Sequence, residues 1–167
     1  MNTIQLIDRK GKVRIGKKVV VSTTFDCDIN EVWQRIQNIS TLVEICKPMA
    51  KFTPYKGDMP TNWIIGKSYD FNLYFHCLLP MGKHTIMVES IDEQTHIIQS
   101  REYNRLVPVW NHLIKIQSSK DGKVNYTDEI HLYAGYLTKF VAWWASCFYR
   151  HRQKRWQVIL RKGEKLL

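Results

Sequence analysis

Phe25-Asp26-Cys27-Asp28-Ile29-Asn30-Glu31-Val32-Trp33 joins the end of a strand to the start of a helix with no linker between them. Asp28 stands where a helix N-cap belongs, Glu31 follows three positions later as in a capping box, and Ile29, Val32, Trp33 and Ile36 recur at helical spacing. This reading predicts a helix over 29–38, a further short turn over 42–45 and a stop at Pro48. Upstream, the β-branched run Val19, Val20, Val21, Thr23 and Thr24 predicts a strand over 17–25. Before it, Lys10, Lys12 and Arg14 fall between Ile7, Val13 and Ile15, with Gly11 and Gly16 in the same stretch, which suits a basic arm or an extra hairpin over 1–16.

Downstream come two strand-like runs, 50–56 and 67–76, separated by a loop that carries Gly57, Pro60, Trp63 and Gly66. In the second run Tyr69, Phe71, Leu73 and Phe75 alternate with Ser68, Asp70, Asn72 and Tyr74, a period of two that marks a half-buried strand. Pro80-Met81-Gly82 reads as a turn, and the stretches 83–92, 95–103, 108–117 and 123–133 read as four more strands joined by hairpins. Lys120-Asp121-Gly122 suits a three-residue hairpin loop with Gly122 in the left-handed conformation. No Pro or Gly interrupts 136–160, where Phe140, Trp144, Phe148, His151 and Arg155 recur at steps of three and four, so a long amphipathic helix is predicted. The order of strand, helix, six strands and long helix predicts an α+β fold: about seven antiparallel strands with helices on one face.

The chain has 167 residues, enough for one well-buried core and short for two, so a single domain is expected over 17–162 with a short tail over 163–167. No apolar run is long enough to span a bilayer and the N-terminus lacks an apolar signal segment, which predicts a cytoplasmic protein. Cys27, Cys46, Cys77 and Cys147 show no repeated spacing, so neither a zinc module nor a disulfide framework is indicated. His76, Cys77 and His84 lack a convincing third or fourth ligand; no metal and no cofactor is expected.

Three passages resemble the helix-grip superfamily, which includes START lipid-transfer domains, birch-pollen-allergen-like proteins and polyketide cyclases. They are the strand-to-helix junction quoted above, the hairpin that reads Trp110-Asn111-His112 and then Tyr126-Thr127-Asp128-Glu129-Ile130, and the aromatic closing helix. The resemblance spans about 17–160 and implies a curved sheet gripping the last helix around a cavity for a lipid, sterol, polyketide or similar apolar molecule. It implies no reaction, because enzymes and carriers share the fold.

If Ser119 opposes Lys123, counting back pairs Trp110 with Leu132, His112 with Ile130 and Ile114 with Asp128. That register gathers Trp110, Ile114, Ile116, Ile130 and Leu132 on one face and leaves Lys115, Gln117, Glu129 and His131 on the other. His112 and Asp128 become diagonal neighbours inside, with Tyr126 on the same face. The pair is open to three readings: a structural hydrogen bond, a polar anchor for a ligand, or the acid/base pair of a cyclase, dehydratase or isomerase. Candidate cavity-lining residues are Tyr69, Phe71, Leu73, Phe75, Trp110, His112, Tyr126, Asp128, Ile130, Phe140, Trp144 and Phe148; core packing alone is the alternative for the aromatic ones.

The formal net charge is +10, and no acid occurs between Glu129 and Glu164. Arg150, Arg152, Lys154, Arg155, Arg161 and Lys162 therefore suggest either a solvated basic helix face or weak attachment to an anionic membrane, with one of Trp143 and Trp144 pointing outward. No helix-turn-helix, RNA-stacking or zinc signature accompanies the charge, so no specific nucleic-acid partner is expected.

Overall fold

The structure, a computed structural model, describes the backbone of residues 1–163 and side chains through Arg161; residues 164–167 of the expected tail and the side chain of Lys162 lie outside the described residues. Strands β1 (Asn2–Ile7), β2 (Val13–Phe25), β3 (Ala50–Pro54), β4 (Ser68–Phe75), β5 (Leu79–Asp92), β6 (Ile97–Asn104), β7 (Val109–Ser118) and β8 (Val124–Tyr133) form one sheet. Its order is β1-β2-β8-β7-β6-β5-β4-β3 and every pairing is antiparallel. Helices α1 (Ile29–Ile36) and α2 (Ile39–Cys46) follow β2, and α3 (Thr138–Gly163) closes the chain after a 3-10 turn at Gly135–Leu137.

The α+β class and the long closing helix follow the sequence, and the strand count is corrected from about seven to eight. The eighth is β1, which pairs with the first half of β2 through a turn closed by Gly11 at φ 74°. Gly16 lies within β2 rather than in a turn. A Cβ there would sit 2.5 Å from the Leu132 carbonyl oxygen and 2.5 Å from Leu6 Cδ2, so close approach of backbone and side chain requires glycine.

Asp28 caps α1 by accepting from the Asn30 backbone N–H at 2.7 Å, and Asn38 caps α2 in the same way through Ser40. The expected turn over 42–45 is thus a full two-turn helix. Val32, Trp33 and Ile36 bury one face of α1, and Ile39, Ile45 and Cys46 bury one face of α2.

Two local expectations are corrected. The chain reverses after β4 at His76 and Cys77, both at positive φ, rather than at Pro80–Gly82. Those residues belong to β5, whose longer pairing with β4 is accommodated by a bulge at Leu73/Tyr74. The buried face of α3 also differs from the stripe predicted through Phe140, His151 and Arg155. It runs through Ala142, Ala145, Ser146, Phe148, Tyr149, Arg152, Gln153, Trp156, Ile159 and Leu160. Small alanines and a serine let the helix come close to the sheet, while Phe140 stays 58% exposed and His151 donates outward to the Lys47 carbonyl at 2.7 Å.

Candidate ligand cavity

The β7–β8 hairpin has the register derived above: Trp110 faces Leu132, His112 faces Ile130 and Ile114 faces Asp128. Trp110, His112 and Ile114 point to the concave side, where they meet inward residues of β6 and β5 and the buried face of α3. Between them lies a cavity of about 190 Å³, walled by Ile36, Leu42, Ile45, Phe52, Trp63, Ile86, Val88, Ile98, Ile114, Val141, Trp144 and Phe148 among others. A dry cavity of about 150 Å³ admits a benzene-sized molecule, so this space suffices for a larger apolar one. Phe140 stands at the rim with half-buried Val107.

Of the candidate lining residues, Leu73, Phe75, Trp110, His112, Phe140, Trp144 and Phe148 border this space. Tyr69, Phe71, Tyr126, Asp128 and Ile130 lie elsewhere. Tyr69 donates to the Asn62 carbonyl and packs edge-on against Trp63, and Phe71 packs edge-on against Phe52; both are buried core residues behind those two wall residues. Tyr126 packs at a tilt against both Phe25 and Trp156, and Ile130 is fully buried. Their strand alternation is the expected one, but α3 rests directly on this part of the sheet and leaves no space there.

Asp128 is fully buried behind the cavity wall. Its Oδ1 accepts from His112 Nε2 at 2.9 Å and from the Tyr126 hydroxyl at 3.4 Å, and its Oδ2 accepts from Gln153 Nε2 at 3.0 Å. The other side of His112 faces a carboxylate that the sequence did not single out. Glu102 Oε1 lies 3.6 Å from His112 Nδ1, an ion-pair distance too long for a hydrogen bond, and also accepts from Ser100 at 3.0 Å. Glu102 Oε2 meets His84 Nε2 at 3.1 Å, and His84 Nδ1 lies 3.4 Å from Asn104 Nδ2. A polar strip thus crosses the concave face from Asn104 through His84, Glu102 and His112 to Asp128, with Gln153 of α3 at its end.

Burial alone would depress the pKa of His112, but the Asp128 and Glu102 carboxylates outweigh it and raise the value above 6.5. Burial likewise pushes Glu102 up, and contacts with His112 and His84 more than reverse this, leaving it below 4.5. With a carboxylate facing each ring nitrogen, a protonated His112 donates from Nε2 to Asp128 and turns its Nδ1–H toward Glu102 at ion-pair distance, and has no lone pair for a ligand proton. The two carboxylates thus favour the charged form of the imidazole.

These shifts carry a pH dependence with a definite sign. The contribution of His112 is complete below its unfolded value of 6.5 and is lost as pH rises through its higher folded value. That of Glu102 is present above 4.5 and is lost as pH falls through its lower folded value. Melting temperature, followed by differential scanning fluorimetry, should be highest between these two reference values and decline on the alkaline side. Glu102→Gln should flatten the alkaline decline, because it removes one of the two carboxylates that raise His112. A wild-type melting temperature that holds constant through this alkaline range would contradict the assignment.

Arg152 corrects the reading of α3 as basic on its solvent face. It lies on the inner side, 4% exposed, at the cavity wall, with its guanidinium 4.8 Å from the centre of the Tyr149 ring and 5.8 Å from that of Phe148. Of the paired tryptophans, Trp143 points outward at 54% exposure and Trp144 borders the cavity, stacked on Phe148 at 4.8 Å.

The overall fold is similar to that of several solved structures. The hypothetical protein jhp0584 from Helicobacter pylori superposes with a TM-score of 0.66 at 14% identity, over 87% of this chain and 88% of that one. The ginseng major latex-like protein 151 from Panax ginseng gives 0.61 at 10% identity, over 86% and 97% of the two chains. Ara h 8.0201 gives 0.56 at 10% identity, over 83% and 95%. The chain has the helix-grip fold. The latter two structures are birch-pollen-allergen-like, and at these identities the likeness of the helix-grip proteins is one of fold. No family model and no curated protein matches the sequence. The helix-grip architecture explains why the space lies under the first half of α3: α2 and the β3–β4 end of the sheet hold the helix away there, while β2 and β8 receive its second half.

Proposed function

We propose that the protein binds and carries a small hydrophobic molecule in the cavity between its sheet and α3. The observation that carries this reading is the cavity itself, whose wall is aliphatic and aromatic apart from the polar strip and Arg152. Desolvating an apolar ligand of this size is favourable by roughly 25 cal/mol per Å² of buried apolar surface, whereas the strip supplies a few fixed polar groups for orientation. Leu73, Phe75, Trp110, Ile114, Trp144 and Phe148 are the contacts, His112 the polar member of the wall, and Asp128 with Tyr126 its support from behind. Native mass spectrometry of protein purified from its own host should reveal an added mass that organic extraction removes. A molecule recovered at one per chain supports the carrier reading; consistently bare protein opposes it.

A second reading, attachment to an anionic membrane, is favoured by a patch beside the cavity rim. Tyr136, Leu137, Phe140 and Trp143 are each more than half exposed, and Lys139 and Arg150 extend from the same helix. Large apolar groups next to cations suit a lipid interface, and a cavity opening there would exchange its ligand with the bilayer. Among the described residues no helix is long and apolar enough to cross a membrane. Co-sedimentation with phosphatidylserine-containing vesicles should be measurable at low salt, weaken as salt screens the exposed charges, and fall several-fold in Phe140→Ser/Trp143→Ser. Equal absence of binding to anionic and neutral vesicles would remove this reading.

A further inference from the structure

Four buried side-chain atoms among the described residues lack a hydrogen-bond partner: Trp144 Nε1, Arg152 Nε, Arg155 Nε and Trp156 Nε1. All four are N–H donors, so the interior is short of acceptors and not of donors. Two of them, in Trp144 and Arg152, belong to residues that border the cavity. Arg152 is the notable one. Its guanidinium makes no hydrogen bond or ion pair among the described residues; it lies against the two ring faces already named, with Cys46, Asp128 and Tyr126 near enough to act on its charge. Asp128, the buried acid that acts on its charge, accepts its hydrogen bonds from His112, Tyr126 and Gln153. The surroundings of Arg152 hold the charge, but a buried N–H donor without an acceptor is still costly, because nothing replaces the hydrogen bonds it made to water.

We infer that the cavity is built for an apolar molecule carrying an uncharged carbonyl oxygen, which accepts from the Arg152 guanidinium. This rests on the carrier reading above and adds the chemical class of the ligand. The acceptor follows from the orphan donors, and the lack of charge follows from the wall's own balance. His112 faces a carboxylate at each nitrogen, so it and Arg152 supply two cations against Glu102 and Asp128. His84 is already engaged at both ring nitrogens, with the Asn104 amide donating to Nδ1 and Nε2 donating to Glu102. A ligand carboxylate would add an uncompensated negative charge to this balanced set, whereas a ketone or ester oxygen satisfies Arg152 and leaves the sum unchanged.

The test uses three planar molecules of nearly the same shape: 2-acetylnaphthalene, 2-isopropenylnaphthalene and 2-naphthoate. Each competes against the fluorescent apolar probe N-phenyl-1-naphthylamine. A wall without a directed donor would favour the alkene, which loses the least hydration on entry. The ketone is instead expected to bind about tenfold more tightly than the alkene, the effect of a hydrogen bond to a charged donor, and more tightly than the naphthoate. Arg152→Met should bring the ketone-to-alkene ratio to one or below; if that variant does not fold, the wild-type series decides alone. Equal binding of ketone and alkene would overturn the inference, since water would then serve Arg152 in either complex. Preference for 2-naphthoate would overturn the uncharged assignment. Failure of the probe itself to bind would instead remove the carrier reading on which the inference rests.

Discussion

Asp128→Asn should lower the melting temperature by roughly 6–20 °C, from about 3–5 kcal/mol lost when one partner of a buried charge set is removed and about 2–4 °C per kcal/mol for a chain of this size. The replacement keeps the shape of the side chain and its position. Its amide donors, however, would face His112 Nε2 and Gln153 Nε2, which already donate to the two carboxylate oxygens at 2.9 and 3.0 Å. Whichever way the amide is turned, one donor meets another in a site with no solvent exposure. The cationic His112 and Arg152 would also be left with Glu102 as the one remaining acid of the set. Because Asp128 stands behind the wall, the folded fraction should bind an apolar probe within about twofold of wild type, the order of variation that ordinary substitutions leave. An unchanged melting temperature with lost binding would assign Asp128 to direct ligand contact instead. Thermal unfolding and a probe titration on the same sample separate the two outcomes.

Much of this arrangement was legible in the residues. Period-two alternation from Tyr69 to Phe75 placed β4, and the apolar alternation on both arms of Trp110–Leu132 admitted one register, the one observed. Asp28 announced α1 through its own chemistry as a cap. Which inward residues border open space and which fill the core was not legible, because alternation gives a side chain's face and not its depth. Tyr126 and Trp110 share a face, yet Tyr126 is enclosed by Phe25 and Trp156, whereas Trp110, which donates to the Tyr149 hydroxyl of α3, also borders the cavity. Glu102 was hidden for a related reason. Ser100-Arg101-Glu102 reads as the polar end of a strand, and its role emerges when β5 and β7 bring His84 and His112 alongside it. Two signals were available together: Glu102 keeps step with the inward Ile98 and Ser100, and a histidine stands inward on a neighbouring strand.

Arg152 was misplaced by a different rule. Charged residues on an amphipathic helix are ordinarily counted to the solvent side, and α3 carries aromatics around much of its circumference, so its helical period marks no single stripe. The alanines decide the matter. Ala142 and Ala145 are the close-packing residues, and taking them as the inner line places Tyr149, Arg152 and Trp156 inside as well. The Pro80-Met81-Gly82 segment misled for the opposite reason: its residues are turn formers by propensity, but Leu79 and Pro80 pair with Phe75 and Tyr74 and lengthen β5 beyond the expected limit.

Val141→Trp should weaken ligand binding at least tenfold while leaving the fold intact, and it is the change with the largest expected effect on function. Val141 lies on α3 at the cavity, half-buried, between the rim residue Phe140 and the small residue Ala142 that touches the sheet. An indole there projects into space that the native side chain leaves open, so it competes with a ligand for volume rather than overpacking a filled core. The helix tolerates the exchange at a cost below about 1 kcal/mol in propensity. The direct measurement is a titration of the wild-type protein and of Val141→Trp with N-phenyl-1-naphthylamine, followed by its fluorescence. Wild type should show saturable binding of one probe per chain at about micromolar Kd, roughly 8 kcal/mol of binding free energy, and the variant should weaken it at least tenfold with its melting temperature nearly unchanged. Absence of saturable binding to the wild type, or equal binding to both proteins, would contradict a ligand-carrying cavity under α3.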